Sequence, residues 1–195
     1  MISIKKNKEL KVTFTELSDD QIRLVAILAN ERMWKSFADY LILENSPKLE
    51  ESVRICLDII WEKTIKGMIS DDQRQKYNRM IQVIDSSSNE ENPEDEFLAI
   101  YPIYLIGQLY SDMLCNDKNK IITVCSSATV RPLDMICDDL LNTVSDEMLS
   151  EHPAVIAELN RIDGDILLAR DFPQNMSEVL NKKALYQTLQ LVPTV

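Results

Sequence analysis

Ser18-Asp19-Asp20-Gln21-Ile22-Arg23-Leu24-Val25-Ala26-Ile27-Leu28-Ala29-Asn30-Glu31-Arg32-Met33 is the stretch that decides the fold. Ser18 and Gln21 stand in the Ser-x-x-Gln spacing of a capping box, in which each side chain satisfies the other's backbone N–H at a helix start. Ile22, Val25, Ala29, Met33, Phe37, Tyr40 and Leu41 then recur at intervals of three and four, one face of a helix that should end near Asn45.

The same grammar repeats outward. Ser46-Pro47 reads as N-cap and first helical position, and Val53, Cys56, Leu57, Ile60, Trp61 and Thr64 form the buried stripe behind it. Gly67 is placed to stop that helix. Ser70-Asp71-Asp72-Gln73 is a second capping box, opening a shorter helix with Tyr77, Met80, Ile81 and Ile84 inside. Asn92-Pro93 starts another, with Pro102 as a kink point. Residues 118–141 read as helical with a break or kink at Pro132, and Ile121-Ile122-Thr123-Val124 is strand-prone but embedded in that pattern. A turn at 145–149, a helix over 153–171 and a last helix capped by Asn175 and running to about Gln190 complete the chain. Residues 1–17 read as a basic, solvated lead-in. The expectation is an all-α protein: a compact multi-helix bundle of about seven or eight helices, without significant β-sheet, as one domain over 1–195 with an acidic loop at 85–92.

Three glycines in 195 residues argue against a many-turned β protein and against a glycine-rich phosphate loop. No stretch reaches the ~20 apolar residues of a membrane span, and Met1-Ile2-Ser3-Ile4-Lys5-Lys6 lacks the apolar core of a signal peptide. Cys56, Cys115, Cys125 and Cys137 form no CxxC pair, so reduced thiols and a cytoplasmic location are expected.

His152 is the only histidine. That removes the clustered Cys/His of zinc sites and the two Glu-x-x-His units of a di-iron bundle, so no cofactor or metal is expected. Lying just before Pro153, His152 reads as a structural residue at a helix start. Glu31 and Glu62 are the one carboxylate pair that general acid–base chemistry would use; the competing reading makes Glu31, Arg32 and Glu62 members of a structural ion pair, and no catalytic residue is assigned. Trp34, Trp61, Tyr101, Tyr104 and Tyr110 fall at helical spacing and read as core.

The net charge of −11 sits in two segments. Residues 85–96 hold Asp85, Glu90, Glu91, Glu94, Asp95 and Glu96 with no Lys or Arg, and residues 131–171 hold ten acids against Arg131, Arg161 and Arg170. Such a surface repels nucleic acid and anionic lipid and attracts basic partners. Those six acids of the loop, with Asp134, Asp138 and Asp139, are the candidate partner-binding residues.

Leu24 to Met33 with Tyr40 after it, Arg54-Ile55-Cys56-Leu57-Asp58-Ile59-Ile60-Trp61-Glu62, Tyr101-Pro102 and His152-Pro153-Ala154-Val155 together resemble the YjaG-like bacterial family over about residues 17–172. That resemblance implies an all-helical cytoplasmic protein of unassigned function, with no catalytic residues to carry over. The chain departs from the family around 117–135, in the acidic loop and in the C-terminal extension. Three readings follow: an acidic interaction protein of immunity type that binds a basic partner such as a toxin domain, for example a nuclease; a housekeeping helical protein of the YjaG type in a regulatory role, as a homodimer; and an enzyme using Glu31 and Glu62.

Overall fold

The computed structural model describes residues 2–43, 47–87, 117–141 and 144–191. In chain order the helices are α1 (Ile2–Thr13), a single 3-10 turn (Phe14–Glu16), α2 (Asp19–Leu43), α3 (Pro47–Lys66), α4 (Asp71–Ser87), α5 (Lys118–Leu140), α6 (Asp146–Leu149), α7 (Pro153–Arg170) and α8 (Met176–Tyr186). No strand occurs among the described residues, so the all-α expectation holds. The helix expected to follow Asn92-Pro93 lies outside them.

The capping boxes form as the sequence spells them. Ser18 N donates to Gln21 Oε1 at 2.9 Å and Gln21 N to Ser18 Oγ at 3.3 Å; the Ser70–Gln73 pair repeats this at 2.8 and 3.2 Å. Gly67 stops α3 with φ of 73°, its N–H returning to the Lys63 carbonyl at 2.8 Å. That backbone conformation strains any residue with a Cβ.

α2 is the central helix. Leu24, Val25, Ala26, Ile27, Leu28 and Ala29 all have no exposed surface, so the helix is covered on every side rather than on the one face its periodicity outlines. α5, α3, α7 and α8 surround it, α4 packs on α3, and α1 packs on α5. One apolar cluster runs from Leu10 through Trp61, Tyr77 and Ile121 to Tyr186, and a second, of Leu133, Ile136, Cys137 and Val155, joins α5 to α7. Each such buried aliphatic side chain contributes about 1.5–3 kcal/mol over its exposed state.

Five expectations need correction. The lead-in is a packed helix: Leu10, Phe14 and Leu17 are buried, and Lys6 reaches Asp163 at 2.6 Å. Its lysines mask a narrow seam of apolar positions that only a partner helix makes visible. α5 runs through Pro132 without interruption, held by burial of Ala128, Leu133 and Ile136 on either side of the missing N–H. Asn175 stands at the N-cap position of α8, but its side chain makes no capping bond; its amide donates to the Leu168 carbonyl at 2.7 Å. α8 also stops at Tyr186, and α4 extends to Ser87, three residues into the acidic segment.

Ser70→Ala should lower unfolding stability by about 1 kcal/mol through loss of the cap. Gly67→Ala should cost a comparable amount, about 1–2 kcal/mol. A Cβ there meets no atom within 4 Å, so backbone strain alone acts. Urea unfolding checks both; the midpoints should fall with the slope unchanged.

Candidate functional site

The chemistry-bearing residues gather around the Glu31-Arg32 dipeptide in the middle of α2. Both side chains are completely buried. Neighbouring residues on a helix point about 100° apart, so the two charges cannot share a pocket and each needs its own partners from a different element.

Glu31 turns toward α3. Arg54 grips it with two parallel bonds, Nη1 to Oε2 at 2.9 Å and Nη2 to Oε1 at 2.7 Å, the fork geometry that makes Arg–carboxylate pairs strong. Trp61 Nε1 donates to the same carboxylate. Arg54 also bonds Asp58 at 2.7 Å and lies over the Trp34 ring at 4.9 Å. Lys183 of α8 closes the group, 3.5 Å from Asp58 and 4.9 Å from the centre of the Trp61 ring.

Arg32 turns toward α7 and α8. Nε donates to Glu158 Oε1 at 2.8 Å, and Nη1 donates to Asp165 Oδ2. Glu158 and Asp165 are as buried as Arg32. Tyr186 Oη donates to the other oxygen of Asp165 at 2.8 Å, Arg161 reaches Glu158 at 3.3 Å, and the Arg32 guanidinium stacks on the Tyr186 ring at 4.9 Å. Arg32 Nη2 has no hydrogen-bond partner. Burial pushes both carboxyls above the usual carboxylate range despite Arg32. The same burial opposes charge on Arg32, but Glu158 and Asp165 outweigh it and hold its pKa above the ordinary value. Burial and Asp165 likewise keep the Tyr186 phenol protonated.

These partners revise the reading of the sequence. Glu31 and Arg32 are each in an ion pair, but not with one another. Glu62 lies at the surface of α3, bonded to Lys66 and Gln73, and the hydrogen bond from Lys66 draws its pKa down. Glu31 and Glu62 therefore share no hydrogen-bond partner, and the sequence-derived carboxylate pair is not assembled as a pair. Asp165, Tyr186 and Arg54 escaped sequence reading. Helical spacing was the available signal: Glu158, Asp165 and Ile162 fall on one face of α7, which marks the two acids as core-facing.

His152 is the N-cap of α7, its Nδ1 accepting from Ala154 N at 3.3 Å. Cys56, Cys125 and Cys137 are buried; Cys115 lies outside the described residues. No cluster of metal-binding side chains occurs among the described residues, and no described helix is long and apolar enough to cross a membrane.

Of the candidate partner-binding acids, Asp138 and Asp139 are exposed, whereas Asp134 is half-buried and paired with Arg131 at 3.4 Å. Partial burial and neighbouring Asp134 raise the pKa of Asp138. The Asp85 side chain, Glu90, Glu91, Glu94, Asp95 and Glu96 lie outside the description. Glu158 and Asp165 leave the acidic surface altogether, because the core takes them. Compared with known proteins, the chain matches no family model, no curated protein and no solved structure.

Arg32→Met should destabilise the protein by about 3–5 kcal/mol, since it leaves two buried carboxylates without their cation. The deficit should shrink as pH is lowered. With raised carboxyl pKa values the native state binds more protons than the unfolded chain, so acidification favours folding. Denaturant unfolding at neutral and mildly acidic pH tests both parts. The Cys56 thiol is pushed up to about 12 by burial and that of Cys137 to about 11 by burial and Asp134. Peptide mapping after iodoacetamide treatment at pH 8 should find both unmodified in the native protein and labelled once it is unfolded.

Proposed function

We propose that this protein is a non-enzymatic acidic interaction module of immunity type, which binds a basic toxin domain and blocks it. The observation that carries this reading is the division of charge. The buried ionic residues found around α2 are committed to one another, which suits a structural role. The acids left at the surface are concentrated where cations are scarce. Residues 121–181 contain eleven acids and three basic residues, all arginine. Each arginine is paired: Arg131 with Asp134, Arg161 with Glu158, and Arg170 with Glu16 at 3.6 Å. Asp138, Asp139, Glu151 and Asp171 remain exposed there. A face of one sign speeds encounter with an oppositely charged partner and repels nucleic acid.

The test is binding and protection. The purified protein should bind the toxin domain encoded beside its gene, with an affinity that falls as salt is raised, and should suppress its toxicity in cells. Calorimetry at several ionic strengths and a co-expression assay read the two outcomes; absence of both overturns the proposal.

A further inference from the structure

We infer that the docking face is the corner made by the end of α5, the α6 turn and the start of α7, and that it takes a basic protein surface bearing an apolar anchor. This rests on the interaction reading and gives it a place.

Three large apolar side chains stand in solvent along this short run of chain: Leu141 at 48% exposure, Met148 at 63% and Ile156 at 43%. They are held by consecutive hydrogen-bonded turns. Val144 N returns to the Leu140 carbonyl at 2.8 Å, Met148 N to Ser145 at 3.0 Å, His152 N to Leu149 at 3.2 Å and Ile156 N to His152 at 3.0 Å. The helices on either side are joined by the packed cluster of Leu133, Ile136, Cys137 and Val155. The exposed groups are thus carried by an ordered stretch of chain, and apolar groups with polar residues around them are the anatomy of a protein interface.

Charge selects the occupant. Asp138, Asp139 and Glu151 are the exposed ionic residues among the described side chains of this run. Lys118 and Lys120 are at the far end of α5, about 30 Å away at 1.5 Å per residue, several Debye lengths at physiological salt. Lys6, on the α1 side, is bound to Asp163. Other exposed apolar residues have cations beside them in the chain: Val12 follows Lys11, Met68 follows Lys66-Gly67, and Leu180 and Leu185 flank Lys182 and Lys183. Ile4 precedes Lys5-Lys6, and Leu167 lies one turn before exposed Arg170, so among the described residues only the corner's exposed apolar groups stand in a stretch of chain whose exposed ionic residues are acids, although the positive field of the chain's amino group reaches Cys137. A second copy docked on this face by a two-fold axis would bring acid against acid, and an anionic lipid or nucleic acid would be repelled. A basic protein fits.

The corner can be probed without the toxin. Titrating isotope-labelled protein with a short amphipathic leucine/lysine helix should shift backbone amides of residues 138–156, and a leucine/glutamine analogue should leave them unmoved. Shifts centred elsewhere, or none, overturn the assignment. With the toxin domain as probe, Met148→Asp and the Asp138→Lys/Asp139→Lys double variant should each weaken binding about tenfold or more, while Asp71→Lys on α4 should not. If wild type binds and the corner variants bind equally well, the face is wrong and the interaction reading stands. If wild type binds no toxin domain, the interaction reading falls, and the peptide titration still reports on the corner.

Discussion

The structure depends on keeping Glu31 and Arg32 charged inside the middle of a helix that has no solvent face there. Removing a charge from water costs several kcal/mol, recovered only with close partners of good geometry. α2 cannot supply them from itself, because adjacent side chains diverge by about 100°. α3 must therefore bring Arg54 and Trp61 to one side, and α7 and α8 must bring Glu158, Asp165 and Tyr186 to the other. The two carboxylate–arginine groups fix the rotation of α2 about its axis. Apolar packing alone tolerates small slips in register; a buried fork of hydrogen bonds does not.

This constraint explains the role of α8. The helix is short and carries exposed Leu180 and Leu185, but Tyr186 closes the Arg32 group and Lys183 closes the Arg54 group. Cation–π stacking of Arg32 on Tyr186 gives the guanidinium face an attractive neighbour where its Nη2 lacks a hydrogen bond. The last helix is thus the cover of a charged interior.

Charge plays opposite parts in the two places. Inside, acids and bases are matched and desolvated, and they specify the packing. Outside, on the α5–α7 side, the arginines are occupied and the remaining acids project a field of one sign. Two acids that composition counts toward that field, Glu158 and Asp165, belong to the core instead. The proposed interaction surface is correspondingly smaller, centred on Asp138, Asp139 and Glu151 around Leu141, Met148 and Ile156.

Sequence alone determined most of the helix starts and the stop at Gly67. Ser18–Gln21, Ser70–Gln73, Pro47, Gly67 and His152-Pro153 act through atoms a few residues away, so local chemistry is sufficient to read them. It also determined that Glu31 and Arg32 were ionic residues in an apolar setting. Tertiary structure alone decided their partners. Arg54, Glu158, Asp165 and Tyr186 come from 23 to 154 residues away along the chain, and no local period encodes such a pairing. The packing of α1 and the passage of α5 through Pro132 were likewise tertiary decisions, because burial against neighbouring helices outweighed weak or unfavourable local propensity.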